Sequence, residues 1–166
     1  MSVIGIDPGT ARTGYGVVEA DDDNQLVLVD YGVIKTPAGQ DEAQRLVSLH
    51  LQLQSLIDRH SPAEAAVERL FFQKNVSTAM QVGQARGVIL LTLHQAGLPI
   101  GEYSPQDIKI AVTGYGAAEK SQMQRMVKTL LTMPELPQPD DAADALAVAI
   151  CHFHSVRLQR RLEAGT

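Results

Sequence analysis

A chain of 166 residues that is 45% hydrophobic and 20% charged has enough apolar material for one domain with a buried core, which excludes the disordered and fibrous classes. No apolar run approaches the roughly 20 residues that span a bilayer, so no membrane partner is expected. The net charge of −5, taken whole, speaks against nucleic acid as a partner.

Met1-Ser2 leads directly into Val3-Ile4-Gly5-Ile6-Asp7, a partly β-branched run that ends in a carboxylate before Pro8-Gly9 turns the backbone. That opening has none of the pattern of a signal peptide, and the one cysteine, Cys151, stands among Ala149, Ile150 and Phe153 as a buried thiol. A reducing, cytoplasmic setting is the expectation. An acid at a strand's carboxyl end is placed where open α/β sheets bind ligands, although an isolated Asp-Pro-Gly also suits an Asx-type turn. Other acids are needed to decide between the two.

Thr13 to Glu19 reads as a second strand, Asp21-Asp22-Asp23-Asn24 as a hairpin turn, and Leu26 to Lys35 as a third strand, giving an antiparallel meander at the front of the chain. Thr36-Pro37-Ala38-Gly39 breaks it. From Asp41 to His60, the spacing of Leu46, Leu49, Leu53, Leu56 and Ile57 predicts a helix with one buried stripe. Ala65-Ala66-Val67-Glu68 is a short buried strand that again finishes on a carboxylate. A helix is expected from about Ser77 to Gln95, with Ala79, Val82, Ile89 and Leu93 inward, until Gly97 and Pro99 end it. Ile100 to Tyr103 forms a fifth strand. Ser104-Pro105-Gln106-Asp107 opens a short helix with a cap hydroxyl, a proline at the first position and an acid in the first turn.

Glu119 to Leu131 is another helix, whose Met123, Met126, Val127, Leu130 and Leu131 form a core stripe. A final helix begins at Asp140, after a proline-broken loop, and runs to about Arg161. Asp141 and Asp144 share one of its faces, and so do Asp140 and Asp144. Spacing does not choose between Asp140 and Asp141, and one acid of the three is expected to serve the helix start itself. Ala142, Ala143, Ala145 and Ala147 let this helix approach a sheet closely.

Charge is unevenly placed. Between Arg69 and Lys128, seven basic residues (Arg69, Lys74, Arg86, Lys109, Lys120, Arg125 and Lys128) meet three acidic ones, a local +4 that leaves −9 for the remainder. A DNA-contacting face around a carboxylate centre has this form, and so does an ordinary solvated surface. Carboxylates on two strand ends and one helix start imply a shared site, because like charges repel unless a cation binds them. Oxygen donors without a His or Cys cluster select Mg²⁺ or Mn²⁺ over zinc. Four acids suit two such ions flanking a phosphoryl displacement, which is nuclease chemistry.

Ile4-Gly5-Ile6-Asp7-Pro8-Gly9-Thr10, Val67-Glu68 followed by Phe71, Gly83-Gln84-Ala85-Arg86-Gly87, Ala118-Glu119-Lys120-Ser121 and Asp141-Ala142-Ala143-Asp144-Ala145-Leu146-Ala147 together resemble the RuvC family of Holliday-junction resolvases, in register from about residue 3 to about residue 155. The resemblance implies an α/β, ribonuclease H-like fold with a mixed five-stranded sheet flanked by helices. It implies a single nuclease domain over residues 1–166, with 156–166 a helical or frayed tail. It also implies a homodimer making paired Mg²⁺-dependent nicks in opposing strands of a four-way DNA junction, with 5′-phosphate and 3′-hydroxyl ends. The setting is recombination and repair in a bacterial cytoplasm, with the RuvA–RuvB branch-migration complex as a partner.

Carried over residue by residue, the metal-binding carboxylates are Asp7, Glu68, Asp141 and Asp144, holding two Mg²⁺ for which Mn²⁺ substitutes. The Asp-Ala-Ala-Asp pattern selects Asp141 and leaves Asp140 as a helix cap or as a partial substitute for Asp141. Lys120 matches a family lysine near the scissile phosphate, Lys109 a second basic residue that contacts DNA, and Phe71 an aromatic that stacks on a base opened at the junction. Phe72 departs from the family pattern, which leaves open which ring faces DNA. Arg69, Lys74 and Arg86 are expected phosphate contacts that position DNA without reading it. His50, His60, His94, His152 and His154 have no metal or base spacing, and His152 and His154 read as surface or interface residues.

Two rival readings come from other classes. Asp7-Pro8-Gly9-Thr10 also fits the phosphate loop of actin-like and sugar-kinase-like ATP-binding proteins, but those need two such domains and a second Asp-Gly segment, and neither is found in these 166 residues. A non-catalytic junction-binding protein accounts for the basic segment but leaves four acids unexplained, since surplus carboxylates weaken phosphate binding.

Overall fold

The computed structural model describes residues 1–165 apart from 22, 38 and 70–75, and the side chains of 76–78 also lie outside the described part. β1 (Ser2–Asp7), β2 (Arg12–Ala20) and β3 (Leu26–Lys35) form the antiparallel meander. Asp21 sets the β2–β3 turn, accepting from the N–H groups of Asp23 at 3.0 Å and Gln25 at 2.7 Å, with Asn24 at φ 59°. Short polar side chains favour this local bonding and tolerate positive φ.

α1 (Glu42–His60) starts under Asp41, whose carboxylate accepts from the Gln44 N–H at 2.9 Å, and it buries Leu49, Leu53, Leu56 and Ile57. Then follow β4 (Glu64–Glu68), α2 (Val76–Gln95), β5 (Ile100–Tyr103), α3 (Pro105–Thr113), α4 (Lys120–Leu130) and α5 (Asp140–Ala164). The order of elements is the one the sequence predicts, and the tail beyond residue 156 continues as helix.

The sheet order is β3-β2-β1-β4-β5, with β4 parallel to β1 and β5 parallel to β4, so the sheet is mixed and β1 is central. Both faces are covered, which is why β1 and β4 read as continuous apolar runs rather than alternating ones. On one face Ile4, Ile6, Val17, Ala65 and Val67 meet α1 and α2 through Leu53, Ile57, Ile89 and Leu93. On the other, Val3, Val18 and Ala66 meet α5, backed by α3 and α4. Among the described residues no helix is long and apolar enough to cross a membrane.

α5 packs on all five strands and is buried from Ala142 to Phe153, apart from the half-buried Asp144. The alanines supply only half of that close approach. A Cβ on Gly5 would lie 2.3 Å from the Ala145 carbonyl oxygen, and one on Gly14 would lie 1.9 Å from that of Asp141. Side-chain-free positions on β1 and β2 therefore seat the start of α5 directly against the sheet.

One expectation fails in this layer. His152 is not a surface residue: it is 4% exposed, with Nδ1 2.9 Å from the Tyr103 hydroxyl and Nε2 2.8 Å from Glu64 Oε2. Buried polar groups need such partners, and both come from strands that sequence spacing does not relate to α5. Cys151, by contrast, is buried as expected, and desolvation pushes its thiol up to about 12.

Candidate active site

Sheet register builds the first half of the site. β1 and β4 are parallel with Ile6 opposite Val67, so Asp7 and Glu68 leave the same end of neighbouring strands about 4.8 Å apart. Gly5 faces α5, and Asp7, two residues on, faces the same way. The carboxyl of Asp7 hydrogen-bonds that of Glu68. α5 supplies the second half, because its seat over Gly14 lies across from Asp7 in the β1–β2 pairing.

Asp7, Glu68 and Asp144 line a cavity of about 230 Å³ together with Lys109, Lys120, Pro105, Ile108, Met123 and Ala147. Asp141 stands beside this cavity rather than in its wall, held by Arg12 Nε at 2.8 Å. Ser104 and Asp107 close a reciprocal cap at the start of α3, with Ser104 Oγ accepting from the Asp107 N–H at 3.1 Å and Asp107 Oδ2 accepting from the Ser104 N–H at 3.0 Å. That cap fixes the turn from which Lys109 reaches the cavity.

The carboxylates are under electrostatic stress. Burial first, then the charges of Glu68 and Asp144, push the Asp7 carboxyl up to about 8, so at neutral pH and without a cation Asp7 keeps a proton and donates it to Glu68. Burial also raises Glu68, against the hydrogen bond from Asp7 and the charge of Lys109. Asp144 is raised by burial in spite of Lys120. Burial works against the Lys120 ammonium, but Asp140 and Asp144 at 3.1 and 3.3 Å outweigh it, and its pKa is raised.

Asp140 is not the cap that the sequence suggested. Pro139 occupies the cap position, and no side chain caps it. Asp140 lies in the first turn, where an acid complements the helix dipole, and it accepts from Gln124 Nε2 at 2.9 Å and pairs with Lys120. Lys120 holds its carboxyl below the usual range.

The remaining expected contacts scatter. Arg69 is exposed on a groove outside the cavity with Glu102, Tyr103 and Asp107. Arg86 pairs with the exposed Glu102, and its Nε is buried with no hydrogen-bond partner among the described residues. Phe71, Phe72 and Lys74 lie outside the described residues.

Two arginines escaped the sequence reading. Arg12 is one; its only signal was a cation five residues after Asp7, at the start of the strand that pairs with β1. Arg45 of α1 is the other: its side chain is 12% exposed and donates to the Thr10 carbonyl and, at 3.4 Å, to Thr36 Oγ1, bracing the turn that follows Asp7.

Asp7, Glu68, Asp141 and Asp144 offer only oxygen donors, and crowding that keeps a proton on Asp7 is what a bound divalent cation relieves, so the residues fit such an ion. As the side chains stand, no three His, Cys, Asp or Glu among the described residues are gathered tightly enough to form a metal centre. Asp141 is turned to Arg12 and Asp144 to Lys120.

Comparison with known proteins gives a consistent result. The family model described as crossover junction endodeoxyribonuclease RuvC matches residues 3–152. A crossover junction endodeoxyribonuclease RuvC of Roseiflexus sp. (strain RS-1) is 57% identical over 162 residues, covering 98% of this chain and 96% of the relative. One from Pelotomaculum thermopropionicum is 53% identical over 163 residues, covering 98% and 99%. A structure of Thermus thermophilus RuvC in complex with a Holliday junction substrate aligns with a TM-score of 0.90 at 34% identity, over 96% of each chain.

Proposed function

The chain belongs to the RuvC family of crossover junction endodeoxyribonucleases, and on that footing we propose that Asp7, Glu68, Asp141 and Asp144 are the metal-binding carboxylates of its nuclease site. It has the family's ribonuclease H-like α/β fold and is an endonuclease that resolves Holliday junctions in recombination. The observation that carries the site assignment is the convergence of Asp7, Glu68, Asp144, Lys109 and Lys120 on one cavity, with Asp141 joined to the set through its place one turn before Asp144 on α5.

The four acids would hold two Mg²⁺, with Mn²⁺ able to replace them. When bound, the ions supply positive charge that activates a water nucleophile and stabilises the departing 3′ oxygen of the cut strand. Asp7, at the strand-end half of the site, would hold the ions as a carboxylate, without the proton that burial and its neighbours keep on it in their absence. Lys120, kept charged by Asp140 and Asp144, stabilises the negative charge that builds on the phosphoryl oxygens. Lys109 lies in the same cavity and neutralises incoming phosphate. Phe71 stacks on an opened base, and Arg69, Lys74 and Arg86 are the outer phosphate contacts, Arg86 after exchanging Glu102 for DNA.

Paired nicks call for two sites, and a homodimer supplies them by symmetry. Exposed apolar side chains on α1 and α2 (Val47, Leu51, Met80 and Leu91) support a face for the second copy, and no described residue packs before Gly83 or Gly87 of α2. The RuvA–RuvB complex is the proposed branch-migration partner, and the bacterial cytoplasm the place of action.

The test compares a synthetic four-way junction with a linear duplex of the same sequence, in Mg²⁺, Mn²⁺ or EDTA. Symmetric, metal-dependent nicks confined to the junction, leaving ligatable ends, are the expected result. Tight junction binding without cleavage in any metal refutes the catalytic assignment of the four acids.

A further inference from the structure

Arg12 stands where the turn after β1 becomes β2, and its Nε donates to Asp141 Oδ2 at 2.8 Å. The two side chains are 46% and 36% exposed, so the pair sits at the rim of the cavity in contact with water. Exposed ion pairs of this kind are weakly held and readily exchanged. The backbone beneath is not loose. Gly14 pairs with Asp7, Thr13 Oγ1 donates to the Gly9 carbonyl at 3.4 Å, the Thr36 N–H donates to the Ala11 carbonyl at 3.1 Å, and Arg45 holds the Thr10 carbonyl. A guanidinium that leaves Asp141 therefore stays within one side chain's reach of the same rim.

Asp141 belongs to the proposed metal set, and a carboxylate engaged by a guanidinium offers less to a divalent cation. Backbone phosphate, in turn, is a partner that matches the planar guanidinium fork as well as a carboxylate does. We infer that Arg12 is an exchange residue: in the free protein it neutralises Asp141, and in the substrate complex Asp141 passes to the divalent cation while Arg12 passes to a phosphate of the junction backbone. This rests on the nuclease reading given above. Each charge keeps a partner at both stages, which lowers the penalty for assembling four acids before DNA arrives. Metal and junction then raise one another's affinity by the same factor, as linkage requires. The cation is held fully only where there is DNA to cut.

The test uses the full chain and Arg12→Gln, which keeps an N–H donor at the Nε position but drops the charge. Mn²⁺ affinity is measured calorimetrically without DNA, and affinity for a four-way junction by fluorescence anisotropy across a salt series in Ca²⁺, an oxygen-seeking divalent cation that can take Asp141. Arg12→Gln is expected to bind Mn²⁺ about three- to tenfold more tightly, because a competing cation is gone. Its junction affinity falls, and the slope of log affinity against log salt drops by about one, the signature of one lost phosphate contact. Arg12→Lys restores much of both. Unchanged or weaker Mn²⁺ binding, or an unchanged salt slope, overturns the exchange. A wild-type chain that binds neither Mn²⁺ nor the junction overturns the nuclease reading and the exchange with it, whereas a wild type that binds both beside an indistinguishable Arg12→Gln overturns the exchange alone.

Discussion

Replacing Asp7 with asparagine should make the metal-free protein more stable at alkaline pH while abolishing cleavage. Asp7 titrates near 3.8 in an unfolded chain and at about 8 in the fold, because burial and the charges of Glu68 and Asp144 oppose its ionisation. A carboxyl raised in this way stabilises the fold fully below the unfolded value, and that contribution is lost as pH climbs through the folded value. Each pKa unit corresponds to about 1.4 kcal/mol, so several kcal/mol drain away between about pH 4 and pH 8. Asparagine keeps an N–H to donate to Glu68 and carries no charge, so it escapes the loss. A gain of about 2–4 kcal/mol at pH 8 in EDTA corresponds to about 5–10 °C in melting temperature for a domain of this size. Thermal melts of both proteins in EDTA from pH 5 to pH 9 check this: the curves should converge at the acid end and separate at the alkaline end. Mg²⁺ should then raise the wild-type midpoint at pH 8 and leave that of Asp7→Asn nearly unmoved. Parallel pH profiles, or a variant less stable than wild type at pH 8, would refute the account of a site strained by its own charges.

Other substitutions probe separate parts of the structure. Lys120→Met should slow junction cleavage about 10²- to 10³-fold in single-turnover assays; its ion pairs are exposed, so its melting temperature in EDTA should fall by no more than a degree or two. Gly14→Ala forces a methyl against the Asp141 carbonyl oxygen, which should cost about 1–3 kcal/mol in urea unfolding. Because it lifts the start of α5, it should also cut cleavage by about two orders of magnitude. His152→Ala strips the buried partners of Tyr103 and Glu64 and should destabilise the fold by about 1–3 kcal/mol with a near-normal cleavage rate below the transition.

Local signals carried most of the fold into view. The meander needs only short turns, the cap of α3 is written in Ser104 and Asp107, and apolar spacing set α1 within a residue of its observed span. The acids were legible because each ends or begins an element. What decides their surroundings was not. Arg12 and Asp141 are 129 residues apart in sequence, and only the seating of α5 on Gly14 brings them together. Asp140 lost its expected cap role to partners on α4, Lys120 and Gln124, that no spacing along α5 reveals. His152 looked like an exposed residue near a helix end because its partners belong to β4 and β5. Periodicity shows which side of a helix is apolar, but not which polar group waits opposite a single histidine.

The arrangement in which α5 covers the sheet also sets an order of events during biosynthesis. Asp7 leaves the ribosome more than 130 positions ahead of Asp141 and Asp144, which lie in the helix that covers one face of the sheet. A nascent or prematurely terminated chain that lacks α5 has neither the second half of the carboxylate set nor a cover for Val3, Val18 and Ala66. Under the proposed assignment of the four acids, the full carboxylate set assembles only once α5 has been made, a timing provided by the order of the residues along the chain.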